Sequence, residues 1–350
     1  MRNVLVTGGA GFIGHHVVNY LLQKTDWNIV VLDRLDVSGD LNRLTDLPSF
    51  DTSRVRFVWH DLKAPINESV SKAIGQVDDV IHLAASSHVD RSIEDPVLFA
   101  MDNVVGTTHL LYWAEKGGMN KEVKFHGIDG HTKESKTSTV YTGKFINFST
   151  DEVFGPAELG HNHKENEQHL PSNPYSASKS GQGAMGYAFY VTYGLPVITT
   201  YTMNNFGERQ HPEKLVPKAI RSVLNGEEMP IFAEVVDGTP VAVGSRFWLH
   251  AWNTASAIKF LLENGKQGES YNVVGFDEFT NLEICERVAS ILGKELKPKF
   301  VDFHKTRPGH DRRYALDGTK LKELGWVPEV TFEESLRRMV EFTRDNVKWQ

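Results

Sequence analysis

The first two hundred residues alternate between short apolar runs rich in valine and isoleucine and longer segments with helical spacing of apolar positions. This pattern predicts strands at 4–7, 28–32, 55–59, 79–84, 145–149 and 197–201. It predicts helices at 15–23, 65–75, 96–116 and 175–193. Such alternation is typical of βαβ units, so the chain is predicted to be an α/β protein with a doubly wound parallel sheet of the Rossmann type.

The pattern changes beyond Gly207, where the elements become shorter and prolines more frequent. Asp237-Gly238 lies between two β-branched runs and predicts a hairpin. We expect a Rossmann domain at 1–205 and a smaller α/β substrate-binding domain at 206–350, with a segment near 247–265 packing back on the first. The polar stretch 120–144 is predicted to be an excursion on the surface.

The charge of the chain limits the partners that we expect, and its cysteine content indicates the compartment. The chain has 38 Lys and Arg against 45 Asp and Glu, a net charge of −7, which opposes binding to nucleic acid or to an anionic membrane. No apolar run is long enough to cross a bilayer, and the apolar N-terminal stretch is interrupted by glycines, unlike a signal peptide. Cys285 is the single cysteine, so no internal disulfide can form. We therefore expect a cytoplasmic protein.

A glycine-rich segment follows the first predicted strand. Gly8-Gly9-Ala10-Gly11-Phe12-Ile13-Gly14 matches the loop that lets backbone N–H groups approach a pyrophosphate at the start of a helix. Asp33 ends the second strand 19 residues after Gly14, where a ribose-binding carboxylate is expected. The segment predicts a dinucleotide site.

Asp33 also indicates which dinucleotide binds. A carboxylate at the ribose would repel a 2′-phosphate, and a charge pair at 4 Å is worth about 1 kcal/mol in water and about 4 kcal/mol when half buried. NAD is favoured over NADP. Arg34 is the dissenting residue, because an arginine at this position can accept that phosphate.

Two groups carry candidate chemistry. Tyr175 and Lys179 lie four residues apart on a predicted helix, so the cation is expected to favour the tyrosine phenolate and make it a base. Ser149, Thr150, Asp151 and Glu152 follow the fifth strand, although the same pattern also suits a helix N-cap. Two carboxylates beside a tyrosine base offer more than oxidation requires, which indicates an elimination.

These segments give the chain a resemblance to the extended short-chain dehydrogenase/reductase superfamily, and within it to the dTDP-glucose 4,6-dehydratases. The resemblance runs over nearly the whole chain. It rests on the glycine loop, the segments 82–93 and 149–155, the Tyr175 and Lys179 pair, and the C-terminal segments 204–207, 212–215 and 307–314. The dehydratase resemblance itself rests mainly on Asp151.

The resemblance implies a reaction that begins and ends with NAD. Tyr175, helped by Thr150 and Lys179, would remove the sugar 4-hydroxyl proton as hydride leaves C4. Glu152 would then take the C5 proton and Asp151 would protonate the departing 6-hydroxyl, before hydride returns to C6. Asp151 must be neutral when it donates, and the adjacent Glu152 carboxylate is expected to raise its pKa.

The resemblance also implies binding residues. Those expected to contact NAD are Gly8, Gly11, Phe12, Ile13, Gly14, Asp33, Arg34, Asp61, Leu62, Leu83, Ala84, Ala85, Tyr175 and Lys179. Those expected to contact the nucleotide-diphosphate sugar are Ser87, Asn204, Lys214, Leu215, Arg246, Asn272, Arg307 and His310. The arginines and the lysine would supply local positive charge for a diphosphate. The long helices at 96–116 and 175–193 would form a homodimer interface.

Three residues depart from the pattern of this family. Ser86 stands in place of a glutamate, Phe154 in place of a tyrosine, and Phe247 in place of an aspartate. All three lie towards the expected substrate side, so the departures bear on the base and the sugar rather than on the reaction.

Two other functions stay open at this stage. A nucleotide-sugar 4-epimerase shares the tyrosine, the lysine and NAD but needs no acid and base for elimination. A non-catalytic NAD-binding regulator has no need of the proton-transfer set. No metal site is expected, because His161, His163 and His169 are interpreted as parts of a solvated loop.

Overall fold

The computed structural model describes residues 1–128, 135–237, 239–302 and 313–350. A seven-stranded sheet forms its centre, in the order β7-β6-β5-β4-β1-β2-β3, and all neighbouring strands are parallel. The strands are β1 Asn3–Thr7, β2 Asn28–Asp33, β3 Val55–Trp59, β4 Asp79–His82, β5 Phe145–Thr150, β6 Val197–Thr202 and β7 Ser270–Val273. The order reverses between β1 and β4, the position at which open α/β sheets bind ligands. The predicted α/β fold is confirmed.

Helices cover both faces of this sheet. The longest that pack on it are α1 Phe12–Lys24, α2 Pro174–Tyr193 and α3 Ala251–Asn264. Side chains alternate along each strand, so Val4 and Val6 join the core beneath α1 and α3, while Leu5 joins the core beneath α2. Burial on both faces explains why the strands read as continuous apolar runs in the sequence.

A helical run spans residues 96–118, close to the predicted helix. It consists of Pro96–Ala100 and Gly106–Trp113, with wider π-type turns at Met101–Val105 and Ala114–Gly118. Shorter helices lie at Asn42–Thr45, Glu68–Ile74, Val89–Glu94 and Thr319–Leu324. None of the helices in the described residues has both the length and the apolar character needed to cross a membrane.

The C-terminal half contributes more to the large sheet than the sequence analysis expected. Strand β7 was assigned to the smaller domain, yet it pairs with β6, with Tyr271 opposite Thr200. Helix α3, within the segment 247–265, packs against α1. Strand β7 therefore belongs to the large sheet although it lies beyond residue 205, and the domain boundary itself stays a prediction.

Most of the other C-terminal elements share a separate core that includes the fully buried Cys285, whereas Leu321 of the helix Thr319–Leu324 joins the core beneath α1. Its helices are Leu215–Asn225, Asn281–Leu292 and Phe332–Asp345, followed by a short turn at Val347–Trp349. Its three-stranded sheet contains Glu228–Val236, Thr239–Ala242 and Lys297–Asp302. Two-stranded pairs join Asn205–Phe206 to Leu249–His250 and Ser245–Phe247 to Glu278–Thr280.

Two antiparallel hairpins lie in segments for which the sequence made a prediction, the turn at Asp237 and the polar stretch 120–144. Strands Glu228–Val236 and Thr239–Ala242 pair antiparallel on either side of Asp237, whose φ of 49° suits the predicted turn. Gly238 lies outside the described residues. The polar stretch 120–144 contains paired strands at Lys121–Ile128 and Ser135–Tyr141, which the sequence analysis did not predict.

Candidate active site

A cavity of about 610 Å³ opens at the carboxyl ends of β1, β4, β5 and β6. This volume is typical of sites for small molecules and cofactors. Gly8 and Leu83 line it just after β1 and β4, and Thr150 and Thr202 line it at the ends of β5 and β6. The predicted chemistry therefore meets at the switch point of the sheet.

The backbone of the glycine loop leaves no room for a side chain at Gly8 or at Gly14. Gly8 has a φ of +68°, and a Cβ there would lie 2.7 Å from the Ala84 backbone nitrogen. A Cβ on Gly14 would lie 2.1 Å from the Gly8 carbonyl oxygen. The close turn leads directly into the N-terminus of α1, which favours a pyrophosphate. The loop fits a dinucleotide.

Asp33 is fixed at the rim of the same cavity. Its Oδ2 accepts from the Ala10 backbone N–H at 3.0 Å, and its Oδ1 accepts from Leu35 N–H at 2.9 Å. Burial raises the pKa of this carboxyl, opposed by those two hydrogen bonds. The carboxylate is held where the sequence predicted a ribose partner.

Arg34 is already paired with carboxylates. It donates to both oxygens of Asp102 at 2.6 and 2.8 Å and to Asp36 Oδ2 at 2.6 and 2.8 Å. An arginine committed to two carboxylates offers little to a 2′-phosphate. This pairing favours NAD over NADP.

The other residues predicted to contact NAD also line the cavity. They are Gly11, Phe12, Ile13, Asp61, Leu62, Leu83, Ala84 and Ala85. The residues present therefore fit NAD along the whole edge formed by β1, β2 and β4.

The acid–base group lies across the cavity from this edge. Thr150 ends β5, and Asp151–Phe154 forms a single 3₁₀ turn after it. Thr150 Oγ1 donates to Asp151 Oδ1 at 2.8 Å. Asp151 Oδ2 is buried and has no hydrogen-bond partner among the described residues. A buried carboxyl oxygen of this kind is suited to exchange a proton with a ligand.

Both carboxyl groups hold protons more tightly than usual. Burial raises the pKa of Asp151 to about 6, and the hydrogen bond from Thr150 opposes the shift. Burial, followed by the charge of Asp151, raises the pKa of Glu152 to about 7. Burial is therefore the main cause of both shifts, and charge repulsion between the two adjacent carboxyl groups adds to it within the pair.

Asn173 ties Glu152 to helix α2, a role that the sequence analysis missed. Its side chain accepts from Ser176 N–H at 2.9 Å as the N-cap of α2 and also donates to Glu152 Oε2 at 3.4 Å. An asparagine directly before Pro174 is an N-cap pattern, so the cap could have been read from the sequence. The link to Glu152 depends on the fold.

Tyr175 is buried at the start of α2. Its backbone N–H donates to Ser92 Oγ at 3.1 Å, and its ring meets the edge of Phe99 at 6.3 Å. Burial and then the charge of Glu152 raise its pKa, and a hydrogen bond with Thr150 opposes them. The expected lowering of this pKa by Lys179 is therefore not found.

Lys179 has other partners. Its Nζ donates to the Phe148 carbonyl oxygen and to Gln182 Oε1, each at 2.6 Å. Burial lowers its pKa to about 7. The i,i+4 spacing predicted a shared face correctly, but buried oxygen atoms on β5 and α2 hold the ammonium. Gln182 is a second residue that sequence reasoning missed, although it lies three positions further on the same helix.

The predicted substrate residues are only partly brought together. Ser87, Asn204, Lys214 and Leu215 line the cavity. Arg246 is not among the residues that line the cavity, and its guanidinium stacks on the Tyr314 ring at 4.5 Å. Its positive charge opposes the rise in the pKa of Asp151 and of Glu152. Arg307 and His310 lie outside the described residues.

Asn272 lies outside the residues that line the cavity, and its contact with substrate stays a prediction. It is fully buried on β7, and its Nδ2 donates to the carbonyl oxygens of His163 and Asp317 at 2.9 and 3.0 Å. Because both donors of its amide hold backbone in place, Asn272 supports the loop that contains His163.

The structure shows the contacts of Ser86 and Phe154, two of the residues that depart from the family pattern. Ser86 Oγ donates to Asp102 Oδ2 at 2.6 Å and so joins the carboxylate that holds Arg34. Phe154 is buried and stacks on His163 with ring centroids 5.4 Å apart. Neither position offers a charged group to the cavity.

Comparisons with known proteins identify the family of the chain. The model of the GDP-mannose 4,6 dehydratase family matches residues 5–339. A dTDP-glucose 4,6-dehydratase of Shigella flexneri is 37% identical, over 99% of this chain and 94% of its own.

Solved structures extend the similarity to the fold. A dTDP-glucose 4,6-dehydratase from Streptomyces venezuelae, solved with NAD bound, superposes with a TM-score of 0.84 at 34% identity over 99% of this chain and 98% of its own. The UDP-glucose 4-epimerase of Thermus thermophilus, also solved with NAD, gives a TM-score of 0.80 at 28% identity over 98% and 99%. The chain therefore belongs to the extended short-chain dehydrogenase/reductase superfamily and, within it, to the nucleotide-sugar 4,6-dehydratases.

Proposed function

We propose that this protein is an NAD-dependent hydro-lyase that converts dTDP-glucose into dTDP-4-keto-6-deoxyglucose. The observation that carries the proposal is the pair of carboxyl groups of the buried Asp151 and the half-buried Glu152, which lines the same cavity as Tyr175 and the glycine loop. The choice of dTDP as the nucleotide rests on the relatives, whose names specify it.

Bound in this cavity, NAD would supply the acceptor for the hydride from C4 of the sugar and, once reduced, the donor of that hydride to C6. The residues of the chain move the protons. Tyr175 accepts the proton of the 4-hydroxyl, and the hydrogen bond with Thr150 helps it to do so because that bond opposes the rise in its pKa. Lys179 positions the helix face that carries Tyr175 through its bonds to Phe148 and Gln182.

Elimination then uses the carboxyl pair. Oxidation at C4 acidifies the C5 hydrogen, so Glu152 as a carboxylate can remove it while the 6-hydroxyl leaves as water. Asp151 supplies the proton that the leaving oxygen needs. Because burial raises the pKa of both carboxyl groups, the pair can hold one proton close to neutral pH, and the step requires this shared proton to lie on Asp151.

Substrate would occupy the part of the cavity lined by Ser87, Asn204, Lys214 and Leu215. Lys214 offers a cation to the diphosphate, and Arg246 adds positive potential from outside the lining. This local charge counters the net charge of −7 of the chain.

The test is mass spectrometry of purified protein incubated in parallel with dTDP-glucose, UDP-glucose and UDP-N-acetylglucosamine. We expect the loss of one water from dTDP-glucose, abolished in Glu152→Gln and retained in the control Glu158→Gln, whose side chain is exposed. Unchanged mass with inverted C4 stereochemistry would instead identify a 4-epimerase. Loss of water from a UDP-sugar alone would overturn the choice of nucleotide.

We also infer a homodimer formed through the helical run 96–118 and α2. Tyr112, Tyr187 and Val191 on these elements are each more than half exposed. Two copies of this surface would bury them in a four-helix interface. Light scattering after size exclusion should give twice the chain mass for the wild type and the chain mass for Val191→Glu. The cytoplasmic location stays a prediction.

A further inference from the structure

Three potential metal ligands converge in the loop that joins the 3₁₀ turn to α2. His161 Nε2 and His163 Nδ1 lie 3.0 and 2.7 Å from the same carboxylate oxygen, Oε2 of Glu167. All three ligand atoms lie within 4.8 Å of one another. This cluster is not part of the cavity lining.

The side chains of the cluster are held by the surrounding backbone. The second oxygen of Glu167 accepts from Lys164 N–H at 2.9 Å, and the other ring nitrogen of His163 lies 3.4 Å from the Pro156 carbonyl oxygen. Ligands of bound metals are usually oriented by such outer contacts.

The loop around the cluster is also fixed. Arg313 donates to the carbonyl oxygens of Glu158 and His161 at 2.8 and 2.6 Å. The backbone of His163 exchanges hydrogen bonds with Ala315 and Asp317, each at 2.9 Å. A loop tied in this way presents its side chains in a defined geometry.

We propose that His161, His163 and Glu167 bind one divalent transition-metal ion of the zinc class. Two imidazole nitrogens and one carboxylate oxygen form a donor set that zinc accepts, whereas magnesium and calcium prefer oxygen alone. Ligand atoms around a tetrahedral zinc lie about 3.3 Å apart, given bonds of about 2.0 Å. The two distances to Glu167 need to grow by only a few tenths of an ångström.

The fourth position would be taken by water. The side chain of His161 is half exposed, whereas His163 and Glu167 are more enclosed, so the cluster opens to solvent on one side. An ion there would fix a loop that touches the active site at two points. At one point His163 stacks on Phe154, two residues after Glu152. At the other the loop ends at Asn173, which contacts Glu152.

The competing explanation is a carboxylate that simply accepts hydrogen bonds from two histidines. Metal titration separates the two. Untagged full-length protein with NAD bound is first treated with a chelator that is then removed. Co²⁺ is added while its visible absorption is recorded, and Zn²⁺ is then used to displace it.

We expect one Co²⁺ per chain, with the strong absorption of a four-coordinate site, displaced by one Zn²⁺. Glu167→Gln and His161→Ala should each weaken binding roughly tenfold or more. The control His169→Gln should bind as the wild type does, because His169 Nδ1 is bonded to Ser180 Oγ at 2.8 Å, away from the cluster.

Thermal melts guard against misfolded variants. Zn²⁺ should raise the melting temperature of the wild type and of His169→Gln, but not that of Glu167→Gln. Equal binding by wild type and Glu167→Gln, or no binding by folded wild type, would overturn the proposal. Dehydration of dTDP-glucose is measured separately, so failure of the metal site leaves the proposed enzymatic function unaffected.

Discussion

Lys179 donates a hydrogen bond of 2.6 Å to the side-chain oxygen of Gln182, one turn further along helix α2. The same amide donates through its nitrogen to Asn147 Oδ1 at 2.7 Å on β5. Gln182 therefore connects the ammonium beside Tyr175 to the central sheet. All three side chains are buried.

Replacing Gln182 should destabilise the protein and slow the oxidation at C4. Gln182→Met keeps the volume but leaves Asn147 Oδ1 and one Lys179 donor without the partners that Gln182 supplies, at a cost of about 1–3 kcal/mol in the free energy of unfolding. Urea unfolding measures that loss. The exposed control Gln76→Met should change stability by less than about 0.5 kcal/mol. Equal values for both variants would show that Gln182 is not a structural link.

Asp151→Asn should stabilise the protein at pH 8 more than at pH 4. The folded pKa of Asp151 is raised from 3.8 to about 6, so the folded state holds the proton more tightly and its free energy of unfolding falls as pH rises between these values. Asparagine carries no charge and removes this cost, which amounts to about 1–3 kcal/mol.

Urea unfolding of wild type and Asp151→Asn across this pH range tests the sign. The exposed Asp277→Asn serves as the control and should show no such trend. The variant should at the same time lose the dehydration of dTDP-glucose, since its amide cannot supply the leaving-group proton. A stabilisation that is the same at pH 4 and pH 8 would contradict the raised pKa.

Much of the fold follows from the sequence because its strands are apolar on both faces. The strands predicted at 4–7 and 28–32 agree with β1 and β2 within one residue, since a buried parallel strand has a distinct composition. Strand β7 was missed because Ser270-Tyr271-Asn272-Val273 has no such composition. It becomes a strand by pairing with β6.

The site residues likewise fall into two groups, those that the local sequence predicts and those whose contacts depend on the fold. The glycine loop and Asp33 were found because their spacing reflects local geometry, and the structure places them at one cavity. Gln182, and the contact of Asn173 with Glu152, depend on elements that approach only in the fold. The orientation of Lys179 likewise depends on the Phe148 carbonyl of β5, which sequence spacing on one helix cannot reveal.

Asp36→Ser should shift the cofactor preference towards NADP. Asp36 lines the cavity and holds Arg34, so its removal deletes one negative charge and frees part of the guanidinium for a 2′-phosphate. A single charge pair is worth about 1 kcal/mol or more here, which corresponds to a shift of roughly fivefold or more in the ratio of NADP to NAD affinity. Fluorescence titration of protein freed of NAD measures both affinities. An unchanged ratio, equal to that of the exposed control Asp26→Ser, would count against a role for Asp36.

Glu208 forms the centre of a buried polar cluster between α1 and the C-terminal helix Phe332–Asp345. Its Oε2 accepts from His250 at 3.1 Å and its Oε1 from Arg338 at 3.2 Å, while its backbone oxygen contacts His16 at 3.1 Å. Burial opposes ionisation, but the bond from His250 and the neighbouring charges hold the pKa of Glu208 well below its usual range.

Glu208→Gln should therefore lower the free energy of unfolding by about 2–3 kcal/mol near neutral pH, since Arg338 and His250 lose their buried counter-charge. Because the folded pKa is depressed, this stabilisation is present above pH 4.5 and is lost as pH falls through the folded value. The difference from wild type in urea unfolding should stay constant from pH 5 to pH 8 and shrink at lower pH. Glu341→Gln, exposed on the same helix as Arg338, is the matched control. A loss of stability that is as large at pH 3 as at pH 7 would mean that packing, and not the charge of Glu208, holds α1 against the C-terminal helix.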